Sequence, residues 1–107
     1  MPDWTQTYRQ KLTTMDDAIR SLPTNAAVIV GMASMESQGF MGHVHHHADH
    51  FENLRVLSCL NLNSYDFCED PQYEGTFMNQ NWFFGPSNRA AAKAGYKLVE
   101  FIPNNLH

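Results

Sequence analysis

The residues with the clearest chemical potential are histidines, and five of the six in the chain lie in the stretch GHVHHHADHF, residues 42–51. Imidazole nitrogens bind transition metals and exchange protons near neutral pH. On a helix, side chains four positions apart lie on one face and can chelate one ion. The stretch contains two such pairs, His43 with His47 and His46 with His50.

The apolar residues of the same region fit an amphipathic helix over residues 39–51. On this helix His43, His47 and His50 share one flank, and the other two histidines lie elsewhere. The sequence has no HExxH motif, and no cysteine or carboxylate pair matches the histidines to complete a four-ligand zinc site. We therefore interpret the histidines as a solvated helix flank. A physiological metal site, adventitious metal binding and pH sensing are the alternatives.

Length and composition favour a single ordered globular domain. The chain has 107 residues, of which 43% are hydrophobic and 17% are charged, as in folded domains rather than disordered segments. The net charge of -4 gives no basic surface for duplex nucleic acid. We therefore expect no nucleic-acid partner.

Neither a membrane nor an oxidising compartment is indicated by the sequence. The longest apolar run, AAVIVGMA, is far shorter than the roughly 20 residues of a membrane-spanning helix, so we expect no membrane partner. The amino terminus also lacks the apolar core of a signal peptide. Cys59 and Cys68 form no CxxC motif, and we expect reduced thiols in a cytoplasmic protein.

The order of the predicted elements indicates an α/β fold. Two leading helices are expected over residues 5–22, the second of them capped by Thr14 and stopped by Pro23. The run AAVIVG, residues 26–31, has the pattern of a strand buried on both faces. The other predicted elements are strands over residues 54–62, 79–85 and 96–103, a helix over 39–51, and a helix capped by Ser87 and ended by Gly95. This alternation predicts a mostly parallel sheet flanked by helices.

Binding sites in such sheets form where the strands end in loops at the carboxyl edge. Three segments qualify: GMASMESQG, GPSNR and PNNLH. Gly85 and Pro86 precede a helix amino terminus that suits an anion, which Arg89 could support; a plain strand-to-helix turn is the alternative. Glu36 and Glu100 are the carboxylates nearest the strand ends, and neither has a partner acid. The residues alone predict a ligand-binding α/β domain of unknown reaction.

Several stretches together resemble one known family. They are YRQKLTTMDDAIRSLPTNAAVIVGMA, FENLRVLSCL, YEGTFMNQNWFFGPSNRAA and VEFIPNNLH. They look like the amino-terminal part of the acetyl-CoA hydrolase/transferase family, which includes the 4-hydroxybutyrate and acetate CoA-transferases. The resemblance covers residues 4–107 in the family's order, and WFFGP followed by Arg89, with the closing IPNNLH, is its most specific part.

The resemblance implies a CoA-transferase-like (NagB/RpiA/CoA-transferase-like) fold and a reaction that moves coenzyme A from an acyl-CoA to a carboxylate. A glutamate attacks the thioester, giving an acyl-glutamyl anhydride and then a glutamyl-CoA thioester. In the family this glutamate lies in a second, carboxyl-terminal domain. We therefore expect no catalytic residue within residues 1–107, and neither Glu36 nor Glu100 is assigned that role.

The resemblance also implies which residues form the amino-terminal wall of the acyl and acceptor site. They are Gly31, Met32, Ala33, Glu36, Gly85, Pro86, Arg89, Asn104, Asn105 and His107. Two features depart from the family pattern: Ser37 stands where proline is common, and the histidine-rich helix is usually more aliphatic.

The expected substrates are an acyl-CoA and a small carboxylic acid, with no metal required. Because the sequence stops directly after an apolar run, we expect an incomplete fold cut from a larger protein and inactive alone. Its partners would be the missing domain and further copies in a homo-oligomer.

Overall fold

The computed structural model describes residues 1–105 of the chain. The helices are α1 (Trp4–Lys11), α2 (Met15–Arg20), α3 (Gln38–Met41) and α4 (Pro86–Lys93). The strands are β1 (Ala27–Ile29), β2 (Leu54–Ser58), β3 (Phe77–Asn81) and β4 (Val99–Phe101). Short 3₁₀ turns at Ala33–Met35, Val44–His50, Asp66–Cys68 and Pro71–Tyr73 fill the connections.

The four strands form one parallel sheet in the order β1-β2-β3-β4. Each strand therefore lies beside its sequence neighbour, and all four carboxyl ends meet at one edge of the sheet. The predicted α/β class with a mostly parallel sheet is confirmed. The strands are shorter than predicted, and the third begins two residues earlier, at Phe77.

The prediction for the first strand is wrong in one respect, because the strand is not buried on both faces. β1 lies at the edge of the sheet, where Ile29 is 79% exposed and Val28 only half-buried. A β-branched run indicates a strand, but it does not specify whether another layer covers that strand. This edge is thus apolar and uncovered within the described residues.

The two leading helices begin at side-chain caps. The Asp3 carboxylate accepts from the amide of Gln6 at 3.1 Å, and the Thr14 hydroxyl accepts from that of Asp17 at 3.1 Å. The predicted Thr14 cap is therefore confirmed. α2 places Ile19 in the core, whereas the apolar stripe of α1 is exposed.

The predicted helix over residues 39–51 is wrong. The chain forms α3, then 3₁₀ turns over Val44–His50 that are interrupted at His47, whose φ is -111° and ψ is 28°. A 3₁₀ turn has three residues per turn, so side chains three apart face the same way. Met41, Val44 and His47 are accordingly all buried, although an α-helical period places His47 on the solvated flank.

The helix after β3 begins two residues earlier than predicted. Gly85, not Ser87, is the residue that caps α4, and Pro86 occupies the first helical position, where its missing N–H is not needed. At the other end Gly95 has a φ of 81°, as expected for a glycine that ends a helix. Within residues 1–105, no helix has the length and apolarity to cross a membrane.

A buried polar cluster, which we call the amide network, lies between β2, β3 and α4. It consists of Ser58, Asn61, Asn79, Asn81 and Asn88. The side-chain oxygen of Asn79 accepts from the side-chain amides of Asn61 at 3.0 Å and Asn88 at 2.8 Å. The Ser58 hydroxyl accepts from Asn79 and Asn81 and donates to Asn61. Every member is therefore hydrogen-bonded, as buried polar groups must be.

Asn81 extends this network to the loops at the carboxyl edge. Its side-chain oxygen accepts from the backbone N–H of Leu60 at 3.0 Å and of Phe83 at 3.1 Å. Leu60 has a φ of 60°, a conformation that costs energy for a side chain larger than glycine. One side chain thus holds both the strained loop after β2 and the turn after β3.

We predict that Asn81→Ala lowers the free energy of unfolding by about 3 kcal/mol, because it leaves two backbone N–H groups without their acceptor. Gln80→Ala is the matched control, since Gln80 is on the same strand and, among residues 1–105, its side chain bonds only Glu100, in an exposed pair. That change should cost less than about 1 kcal/mol. Urea unfolding of both variants measures the difference, and equal losses would contradict the role given to the network.

Candidate functional site

An apolar cavity of about 320 Å³ opens at the carboxyl edge of the sheet. Its volume lies at the lower end of the range of small-molecule sites. The lining residues come from the ends of β1 and β2 and from the turn after β3: Ile29, Val30, Gly31, Met32, Leu57, Ser58, Cys59 and Trp82. This is the part of a parallel sheet where ligands bind.

The loop after β1 folds tightly against the end of β2. A Cβ atom at Gly31 would lie 2.3 Å from the carbonyl oxygen of Met35, so this position excludes every side chain. Ala33 has a φ of 47°, and its amide donates to the carbonyl of Cys59 at 3.0 Å. The loop is therefore a fixed wall of the cavity, built from backbone rather than from long side chains.

Glu36 ends this loop and is buried, with 7% of its surface exposed. Its Oε1 accepts from the Tyr65 hydroxyl at 2.7 Å and from the Asn63 amide at 3.0 Å. Its Oε2 is buried without a hydrogen-bond partner among residues 1–105. Burial raises the pKa of Tyr65, and the hydrogen bond to Glu36 raises it further. Tyr65 therefore remains a donor at neutral pH and fixes the carboxylate beside the cavity loop.

The turn before α4 is tightly packed and is held by a hydrogen bond from Arg89. Gly85 is buried, and a Cβ atom there would lie 2.8 Å from the carbonyl oxygen of Asn61. The exposed Arg89 donates from Nη1 to the carbonyl of Phe84 at 2.7 Å, so one arm of its guanidinium serves the turn. The anion site predicted at Gly85, Pro86 and Arg89 stays a prediction.

The predicted site residues fall into three groups. Gly31 and Met32 line the cavity, whereas Ala33 and Glu36 anchor the loop behind it. Gly85, Pro86 and Arg89 belong to the neighbouring turn and to the first turn of α4. Gly85 packs closely against the backbone of Asn61, in the loop after β2. Asn104 and Asn105 are exposed after β4 and do not line the cavity. His107 lies outside the described residues.

Sequence reasoning missed six of the eight lining residues, Ile29, Val30, Leu57, Ser58, Cys59 and Trp82. Leu57 and Ser58 end β2, Cys59 follows that strand directly, and Trp82 follows β3. The signal was present, because β2 lies between β1 and β3 and its end must share their edge. The prediction of a longer second strand, to residue 62, concealed this strand end.

A second cluster joins α2 to the histidine-rich segment. The Asp16 Oδ1 atom lies 2.8 Å from Nε2 of His43 and 2.7 Å from Nε2 of His47. The hydrogen bonds from His47 and then from His43 lower the pKa of Asp16. The interpretation of a solvated flank is therefore wrong for His47, which is 6% exposed.

Of the four metal candidates, only His43 and His47 contact a shared carboxylate within residues 1–105. His50 is engaged elsewhere, since its Nε2 lies 2.8 Å from the carbonyl oxygen of Leu22, and His46 is exposed. Asp16 was missed because its partners are 27 and 31 positions away, beyond any local spacing rule. One carboxylate therefore joins two of the histidines, and the expectation that no metal is required stays a prediction.

Comparison with solved structures finds the same fold in RipA from Yersinia pestis. The TM-score is 0.85 at 21% sequence identity, and the match covers 99% of this chain and 26% of that chain. Two point mutants of RipA match with TM-scores of 0.81 and 0.79, each at 20% identity and over 26% of their length. At this identity the likeness shows the fold alone. No family model matches the sequence, and no curated protein matches it.

We predict that Tyr65→Phe lowers the free energy of unfolding by about 2 kcal/mol, because the buried Glu36 carboxylate loses its shortest hydrogen bond. Tyr73→Phe is the control, because Tyr73 packs against the same core and should change stability by less than about 0.5 kcal/mol. A double-mutant cycle with Glu36→Ala, which removes the acceptor, separates the pair energy from packing. Additive effects in that cycle would contradict the contact.

Proposed function

We propose that this chain forms the amino-terminal wall of the active site of a CoA-transferase, which moves coenzyme A from an acyl-CoA to a carboxylate acceptor of the acetate or 4-hydroxybutyrate type. The observation that carries this function is the cavity at the carboxyl edge, lined by Gly31 and Met32. These are residues that the sequence resemblance assigns to the acyl site. The fold shared with RipA over 99% of the chain supports the same domain type.

The cavity suits the acyl part of a thioester. Its walls are mainly the apolar side chains of Ile29, Leu57 and Trp82, which can exclude water from a reactive carbonyl. Excluding water matters because the anhydride and thioester intermediates of this reaction hydrolyse readily. The proposed role of this wall is therefore to bind the acyl chain and protect the intermediates.

The nucleophile must come from elsewhere. In the part of the chain that the structure describes, no carboxylate lines the cavity, and Glu36 is held by Tyr65 and Asn63. Because Glu36 is buried behind the loop and does not line the cavity, it is not placed to attack a thioester bound there. The arrangement supports a catalytic glutamate supplied by a carboxyl-terminal domain, as the resemblance implies.

Exposed apolar side chains at the same edge favour a covering partner. Ile29, Met32, Met35 and Phe83 are all exposed beside the cavity loop or the turn after β3. Several large apolar side chains exposed at one edge are typical of an interface. We propose that the carboxyl-terminal domain, or a second copy in a homo-oligomer, packs against this edge and closes the cavity.

The function is tested by CoA transfer between short-chain acyl-CoA and carboxylates, followed by mass spectrometry of the thioester products. The natural polypeptide that contains these residues should catalyse transfer, and the 107-residue chain alone should not. Transfer by the short chain alone would contradict the need for a further domain. Absence of both transfer and acyl-CoA binding in the natural polypeptide would contradict the function itself.

We predict that acyl-CoA slows alkylation of Cys59 by N-ethylmaleimide, because Cys59 lines the cavity. Cys68 should react more slowly than Cys59, since Cys68 is 1% and Cys59 8% exposed, and burial raises the pKa of Cys68 to about 12. Labelling followed by peptide mass spectrometry reports each cysteine separately. Equal labelling of Cys59 with and without acyl-CoA would contradict binding in this cavity.

A further inference from the structure

We propose that Asp16, His43 and His47 bind one divalent transition-metal ion of the zinc class, at a site separate from the acyl cavity. One ligand atom from each side chain lies within 4.8 Å of the other two. Two imidazole nitrogens and one carboxylate oxygen form a donor set that zinc accepts, with the fourth position open. None of the three residues lines the cavity at the carboxyl edge.

The fold positions these ligands independently of any ion. Asp16 lies in the first turn of α2, which is fixed by the Thr14 cap and by the buried Ile19. His47 is fixed by the period of the 3₁₀ turns, which buries it in line with Val44. Metal binding therefore requires little ordering of the backbone, which favours affinity.

The two Asp16–histidine contacts require only a small local expansion, and the two histidine nitrogens already lie within 4.8 Å of each other. Tetrahedral zinc with bonds of about 2.0–2.1 Å holds its ligand atoms about 3.3 Å apart. The two Asp16–histidine distances are 2.8 Å and 2.7 Å, so the ligands must separate by about 0.5 Å. The Asp16 side chain can supply this movement, because it is 62% exposed.

The electrostatics favour a cation at this point. In the described structure both imidazoles contact the same carboxylate oxygen, so an ion bound at Nε2 replaces hydrogen bonds with metal bonds. The half-exposed His43 and the exposed Asp16 leave an entry path and room for water at the fourth position. Imidazole and carboxylate together favour zinc and its neighbours over magnesium or calcium.

One feature limits the affinity. The Nδ1 atom of His47 is buried without a hydrogen-bond partner among residues 1–105. A histidine bound to metal through Nε2 carries its proton on Nδ1, and the partner of that proton contributes about 10–100-fold to metal affinity. We therefore expect weaker binding than at a zinc site with a complete set of supporting hydrogen bonds.

The experiment is calorimetric titration of Zn²⁺ into the natural polypeptide that contains these residues, purified without a tag or metal resin and stripped by chelation. We expect one Zn²⁺ per chain. Asp16→Asn should weaken binding at least about tenfold, whereas Asp17→Asn, which removes the same charge from the same helical turn, should leave it unchanged. Zn²⁺ should raise the Tm of the wild type and of Asp17→Asn more than that of Asp16→Asn.

Two histidine variants test whether the ion binds to Asp16, His43 and His47 or to the exposed His46 beside them. His43→Gln should weaken binding as Asp16→Asn does, and His46→Gln should not, although the His43 and His46 ring centres are only 4.9 Å apart. The proposal is overturned by equal affinity of Asp16→Asn and Asp17→Asn. It is also overturned by loss of binding in His46→Gln alone, which would indicate adventitious binding to the exposed flank.

Discussion

The amide network is the constraint on which the carboxyl edge depends. Asn79 and Asn81 are fully buried on β3, and a buried amide is stable only when its donors and acceptors are all engaged. Their partners are supplied by the end of β2, the loop that follows it, and α4. These elements must therefore meet in one register, and that register fixes the loops that border the cavity.

The sequence predicted the order of the elements well because that order depends on local signals. The β-branched run before Gly31, the Thr14 cap and the glycine at position 95 all act over a few residues, and each coincides with the predicted kind of element. The histidine-rich segment was predicted as one α-helix because an apolar pattern over so few residues fits either three or 3.6 residues per turn. That difference decides which histidine is buried.

The candidate site was only partly predictable. The loop from Gly31 to Glu36 was predicted as part of a site, because loops at the carboxyl ends of parallel strands carry ligands and the resemblance indicated the same loop; in the structure its first residues line the cavity. Asparagines on a strand are expected to face solvent, so the buried network gave no signal. The contact between Asp16 and the two histidines depends on the packing of α2 against the 3₁₀ turns, which no sequence spacing encodes.

We propose that the cavity at the carboxyl edge is the acyl-CoA site of a CoA-transferase-like domain. Amide hydrogen exchange of the natural polypeptide, with and without acyl-CoA, tests this binding most directly, because exchange reports protection residue by residue. Acyl-CoA bound in this cavity should slow exchange in the loop over residues 31–36, at the end of β2 and around Trp82. Slower exchange confined to other parts of the protein, with these three regions unchanged, would contradict it.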